Sequence, residues 1–178
     1  MYLQSEIQKS APILSDPLPW YAIWTKSNQE KLSSKILGNK GFEVYFPAYR
    51  VRRRWSDRTV ETEMPFFPGY FFCRLDVIKR MPVLATPGVV GIVGFSDEPV
   101  PIPEHEIEAV QAVLRSSRRA EPYPFLREGQ RVRIRRGAFE GVEGILVKEK
   151  SEWLIVISIS ILQRSVSVEI DRNEVMTV

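Results

Sequence analysis

Pro65-Phe66-Phe67-Pro68-Gly69-Tyr70-Phe71-Phe72-Cys73 is the densest apolar run in the chain. Its proline and glycine predict a turn, and the aromatics that follow predict a buried strand. Tyr70 and Phe72 are two residues apart, so on a strand they share a face. Upstream, Trp20-Tyr21-Ala22-Ile23-Trp24-Thr25 lies between Pro19 and a helix-start signal, which predicts an earlier strand of the same kind. Between the two strands, Ser27 and Glu30 have the spacing of a capping box. Leu32 and Ile36 sit one helical turn apart, Lys31 and Lys35 share a neighbouring face, and Gly41 suits the left-handed turn after a helix ending near Asn39. Residues 44–55 predict an extended segment broken at Pro47, and 52–58 an exposed hairpin tip. Further on, residues 82–94 predict a short helix or turn and 89–95 a strand. The order is β-α-β-β-α-β.

Residues 104–119 predict a longer helix. Ile107, Val110 and Leu114 recur on one face, acids crowd the first turns, and Arg115, Arg118 and Arg119 occupy the last, an order that complements the helix dipole. Glu121-Pro122-Tyr123-Pro124 cannot extend a helix and reads as a linker. Beyond it Arg131-Val132-Arg133-Ile134 alternates polar and apolar, as do residues 154–161 and 165–170, with glycines at 137, 141 and 144 between them. The run Ile155-Val156-Ile157-Ser158-Ile159-Ser160-Ile161 favours strand over helix. Short strands of this kind predict a small barrel. The expected organisation is a flexible tail over 1–17, an α+β domain over 18–119, a linker over 120–126 and the barrel over 127–178.

The chain has 178 residues, 44% hydrophobic and 26% charged, with a formal net charge of +3. That composition suits two globular modules. The charge is unevenly placed: residues 42–60 carry five arginines against Glu43 and Asp57, and residues 127–148 carry six cations against three glutamates. Two basic stretches on a mildly acidic remainder look like placed patches. One cysteine, Cys73, excludes an internal disulfide and a multi-cysteine zinc site, and fits a reduced cytoplasmic setting. Cys73 and the one histidine, His105, fall on a strand and at a helix start, with nothing to make them a nucleophile and base. Glu104, Glu106 and Glu108 read as helix-end charges, and no GxxxxGK loop occurs. No catalytic residue, metal or cofactor is expected. The first seventeen residues have neither a basic start nor a long apolar run, so neither a signal peptide nor a membrane span is expected.

Taken in order, these segments resemble the NusG family of bacterial transcription factors, which join an NGN domain to a KOW domain. The likeness rests on residues 20–26, on Phe67-Pro68-Gly69-Tyr70-Phe71-Phe72 followed by Thr86-Pro87-Gly88-Val89, and on residues 129–147, which read G-Q-R-V-R-I-R-R-G-A-F-E-G-V-E-G-I-L-V. It implies an α+β fold, with an NGN α/β sandwich linked to a small SH3-like KOW β-barrel. The implied function is transcription elongation and antitermination, with pausing or termination suppressed. Leu162-Gln163-Arg164-Ser165-Val166 looks nearer to the specialised paralogues of the RfaH, UpxY and LoaP kind, which act on selected operons. A general NusG that couples transcription to Rho or the ribosome is one rival reading, and a KOW-type RNA-binding ribosomal or assembly protein is another.

The resemblance also implies partners. Trp24, Tyr70 and Phe72 match the apolar depression that receives the clamp helices of RNA polymerase. Core packing is the competing reading for each. Lys79-Arg80-Met81-Pro82 aligns with the segment that meets the polymerase gate loop but lacks its hydroxyl-rich pattern. Lys26, Arg50, Arg52, Arg53 and Arg54 are candidates for phosphates of non-template or upstream DNA, against the bland alternative of a solvated hairpin. Trp55 suits either stacking on an unpaired base or covering the adjacent strand. In the barrel, Phe139, Ile159, Ile161 and Leu162 are candidate contacts for a small-subunit ribosomal protein or Rho, with plugging of the barrel end the favoured alternative for Phe139. Arg133, Arg135 and Arg136 suit RNA as the alternative ligand. The β-branched run argues against refolding into a helical hairpin. A monomer that does not bind membranes is expected.

Overall fold

The computed structural model describes residues 17–54, 59–116, 118–127, 129–149 and 151–178, the side chains of 52–54 apart. Most of the expected tail, and the hairpin tip with Trp55 and Arg58, lie outside the described residues. Strand β1 (Trp20–Thr25) runs into a turn at Asn28, whose φ is 60°, and then into α1 (Glu30–Asn39). The capping box predicted at Ser27 does not form. Gln29 precedes the helix without a side-chain cap, and Glu30 turns inward, 6% exposed, to accept the Gly69 N–H at 2.7 Å. Gly41 takes the left-handed turn expected after the helix, at φ 91°.

After β2 (Val44–Tyr45), β3 (Ala48–Arg54) and β4 (Thr59–Pro65) form a hairpin that pairs only with itself. The break at Pro47 separates β2 from this hairpin as predicted. Strand β5 (Tyr70–Arg74) follows the Pro68-Gly69 turn and leads, through a short 3-10 turn, to α2 (Met81–Leu84) and β6 (Val89–Ile92). A two-stranded ribbon of β7 (Gly94–Phe95) and β8 (Glu98–Pro99) then precedes α3 (Glu104–Arg115). The strands β2, β5, β1 and β6 make one antiparallel sheet in that spatial order.

Strand alternation gives this sheet two apolar faces. Tyr21, Ile23, Phe71 and Cys73 pack with Leu37 of α1 and Val83 of α2. Trp20, Ala22 and Phe72 pack on the other side with Ile107, Val110 and Val113 of α3. Arg74 anchors the start of α3: its guanidinium lies 4.6 Å from the Trp20 ring centroid, donates to the Leu18 carbonyl at 2.7 Å and pairs with Glu104. The Trp20 indole N–H also reaches Glu104, at 3.3 Å.

The helix α3 ends at Arg115, four residues short of the predicted end. Ser116 takes an extended ψ of 156° and donates its hydroxyl to the Val113 carbonyl. Arg118 leaves the helix direction for an ion pair with Glu174, one guanidinium nitrogen donating to both carboxylate oxygens at 2.9 Å. Part of the stretch read as a linker is then strand β9 (Ala120–Tyr123), paired with β13 (Arg164–Glu169) after β10 (Gln130–Ile134), β11 (Glu143–Glu149) and β12 (Glu152–Ile159) have been laid down. Pro122 is tolerated because β9 is an edge strand. With β14 (Val175–Thr177) the second sheet runs β14-β10-β11-β12-β13-β9, all antiparallel, around Val132, Ile134, Leu146, Ile155, Val166 and Val168. Gly144 is required where β11 crosses β12, since a side chain there would come within 2.6 Å of the Val156 carbonyl oxygen. The apolar interior of this sheet is continuous with the α3 side of the first. No helix among the described residues is long and apolar enough to cross a membrane.

Two predictions follow from burial. Phe72 is fully enclosed, stacked on Tyr45 at 6.1 Å and edge-on to Phe67 at 5.4 Å. Phe72→Ala should cost about 3–5 kcal/mol in chemical denaturation, with Phe72→Leu much milder. Burial also pushes the Cys73 thiol and the Tyr45 hydroxyl up to about 12. Above the ordinary thiol range, near pH 8.5, the native chain keeps a proton that the unfolded chain releases. Stability should therefore fall as pH rises from about 8.5 towards 12, less steeply in Cys73→Ala, and native Cys73 should resist thiol reagents until denaturant is added.

Candidate functional site

In β1 and β5 the register sets Trp24 opposite Tyr70, Ala22 opposite Phe72 and Trp20 opposite Arg74. Residues directly opposite on antiparallel strands present side chains to the same face. The three aromatics singled out in the sequence therefore do lie together, in a row that α3 covers only in part. Phe72 is sealed under α3, so it belongs to the core and supports the row from beneath. Tyr70 is half-buried, and Trp24 at the open end is 50% exposed. Large aromatics left partly uncovered beside a packed core form a ready apolar contact surface.

Around them is a hollow of about 670 Å3, with Phe46, Met64 and Pro68 on its apolar wall and Asn28 and Lys31 on its rim. Lys31 reaches from α1 to Glu63 of β4 at 2.7 Å, and that hydrogen bond holds the Glu63 carboxyl below its ordinary range. The C-terminal sheet contributes one residue, Arg164, whose guanidinium lies 5.4 Å from the Tyr70 ring centroid. Arg164 follows Gln163, which holds a left-handed φ of 49°. A second contact between the halves is the Ser160 N–H, which donates to the Glu106 carboxylate of α3 at 3.0 Å. Sequence reasoning picked out residues 162–166 only as a likeness; the contacts of Arg164 and Glu106 across the halves have no short-range signature.

The basic hairpin has a different character from that expected. Arg50 is exposed, as is Lys26 at the end of β1, yet β4 sets Glu63 opposite Arg50 and Glu61 opposite Arg52, with Val60 and Thr59 opposite Arg53 and Arg54. Positive charge is thus offset near the base of the hairpin. On the other side of the sheet, Lys79 and Arg80 lie exposed between Ile78, 85% exposed, and Met81, 67% exposed.

The proposed partner residues of the C-terminal half divide. Phe139 and Ile159 are buried, so neither presents a contact surface here; Arg118 covers the Phe139 ring at 5.3 Å. Ile161 and Leu162 are half-buried against the shared interior. Arg133 is engaged with Glu143, whose carboxyl it holds low through a hydrogen bond, while Arg135 donates to the Asn173 carbonyl at 3.3 Å and Arg136 is exposed. Between α3 and the C-terminal sheet lies a cleft of about 780 Å3, bordered by His105, Glu108, Arg133 and Glu143. Cys73 is buried within the first sheet, on the face away from α3. Among the described residues no three or more His, Cys, Asp or Glu side chains gather as metal ligands.

Comparison with known proteins gives a consistent result. Residues 18–111 match the family model described as NusG, transcription termination factor. The Thermus thermophilus transcription termination/antitermination protein NusG is 28% identical over 180 aligned residues, covering 89% of this chain and 98% of that protein. Its Escherichia coli K12 counterpart is 30% identical over 141, covering 75% and 76%. Among solved structures, one described as the domain interaction in Thermotoga maritima NusG superposes with a TM-score of 0.52 at 20% identity, over 90% of this chain and 97% of that one, a likeness of fold. With the family model matching more than half of the chain and relatives matched over most of their length, the chain belongs to the NusG family of transcription termination/antitermination proteins.

Proposed function

We propose that this chain is an elongation and antitermination factor that grips RNA polymerase through Trp24 and Tyr70, lowers the occupancy of paused or terminating states, and recruits a further partner through its C-terminal sheet. The observation that carries this reading is the exposed Trp24 beside the half-buried Tyr70, both lining one hollow. Rigid aromatics bury large area with few rotors to freeze, which is what anchors an interface. A bound factor that prefers the closed, elongating form of the enzyme shifts the population towards it without covalent chemistry.

Lys26 and the hairpin positions Arg50, Arg52, Arg53 and Arg54 are the proposed contacts to DNA phosphates. In the same scheme Ile78 and Met81 present an apolar surface to the opposite side of the polymerase cleft. Arg164 over Tyr70 means that polymerase and the C-terminal sheet address the same ring. Engaging it fully requires that contact to open, which also uncovers Ile161 and Leu162 for a ribosomal protein or Rho. Read-through of a terminator in a purified transcription reaction separates antitermination from the general coupling role.

Core polymerase should retain the purified chain at low ionic strength. Trp24→Ala and Tyr70→Ala should each weaken retention by about tenfold or more, with melting temperatures within a few degrees of the parent. No affinity of the parent for core polymerase would sink the proposal. Reversing Arg53 and Arg54 to glutamate should leave polymerase retention unchanged and reduce the salt-dependent contribution of DNA.

A further inference from the structure

We infer that the C-terminal sheet carries a separate site for single-stranded nucleic acid, where Trp153 meets Arg119, Arg172 and Lys148. Trp153, Arg118, Arg119 and Arg172 border one cavity of about 620 Å3. They come from three parts of the chain: the segment between α3 and β9, the start of β12, and the 3-10 turn Arg172–Glu174. The half-buried Trp153 forms an aromatic wall, with Lys148 Nζ 5.5 Å and Arg172 Cζ 5.6 Å from its ring centroid.

Charge is available at this site. Among the described residues neither Lys148 nor Arg172 stands within ion-pair distance of a carboxylate. Among the described residues Arg119 pairs with Glu121 alone, at 2.6 Å and with both side chains largely in solvent, a pairing that exchanges readily. Arg118 is committed elsewhere: it holds Glu174 and the Glu169 carbonyl, and so fixes the wall of the cavity next to Arg119. The rim also carries three acids, Glu152, Glu169 and Asp171, the last accepting the Asn173 N–H at 2.9 Å while keeping its charge.

With acids present, the rim is not a bare positive surface, and selectivity must come from the indole. A nucleobase sliding over Trp153 displaces a cation from the ring face and leaves that cation beside the adjoining phosphate. Bases already stacked in a duplex cannot enter such a cavity, so the site selects an unpaired strand. No residue of the first sheet borders the cavity, so it is open while the two halves are docked. The site does not depend on the polymerase reading.

The test uses the full chain with Arg53 and Arg54 changed to glutamate throughout, so that the hairpin does not dominate, and follows anisotropy of labelled oligo(U) and oligo(dT) of about eight nucleotides. Trp153→Ala should weaken binding by about tenfold and Trp153→Phe much less. Arg119→Glu with Lys148→Glu, both exposed and remote from the core, should weaken it similarly and flatten its salt dependence. A preference for either sugar identifies RNA or DNA as the source of the strand, and either agrees with the inference. Unchanged binding in the double charge reversal would overturn it, as would equal binding of a duplex or equal competition by an acidic peptide.

Discussion

The antiparallel register between β1 and β5 is the constraint on which the remainder rests. A slip of one residue would exchange Trp24, Ala22 and Trp20 with Ile23 and Tyr21, turning the α3 face into the α1 face and leaving neither helix a matching surface. The register is pinned at one end by Gly69. Its carbonyl accepts both the Thr25 N–H at 2.9 Å and the Thr25 hydroxyl at 3.2 Å, and its N–H is held by the buried carboxylate of Glu30. A left-handed φ of 87° at Gly69 is what allows the chain to offer both groups there. At the other end Arg74 and Trp20 meet at Glu104, so the same pairing fixes where α3 begins.

From this register the site follows as a question of coverage. The helix α3 lies on one end of the row and stops, so the difference between a core aromatic and a contact aromatic is set by position along the strand and not by residue type. Phe72 and Tyr70 differ by one hydroxyl and two positions, yet one is sealed and the other faces a hollow. The C-terminal half then uses what α3 leaves. Its contacts are polar at the edges, through Glu106 to Ser160 and Arg164 to Tyr70, and apolar between.

Local pattern carried the sequence reading far. The aromatic and apolar runs at residues 20–25 and 65–73, the break at Pro47, the Gly41 turn and the short alternating strands beyond residue 129 are all short-range signals, and each element formed near its predicted place. What the pattern could not convey is tertiary. Ser27 and Glu30 have capping spacing, but a buried donor at Gly69 competes for Glu30 and wins. Arg118 suits the end of a helix by charge, but Glu174, 56 residues away, draws it off. Pro122 reads as a breaker until β13 offers it an edge. The basic hairpin looked strongly positive because the acids opposite it follow only in the next strand. Core and contact readings of Phe72 both stood for the same reason, since nothing local says how far a helix beyond residue 104 reaches across the sheet.

The pairing of β9 with β13 bears on how far the two halves can travel. With β9 in place, only residues 116–119 connect Arg115 of α3 to the second sheet, a tether on the order of 15 Å when fully stretched. Peeling β9 away would release the chain as far as Gly129 and lengthen that tether to on the order of 45 Å. Local concentration of one half around the other falls steeply with tether length. An edge strand of four residues thereby acts as a spool, setting the radius within which anything held by the C-terminal sheet is delivered to the first.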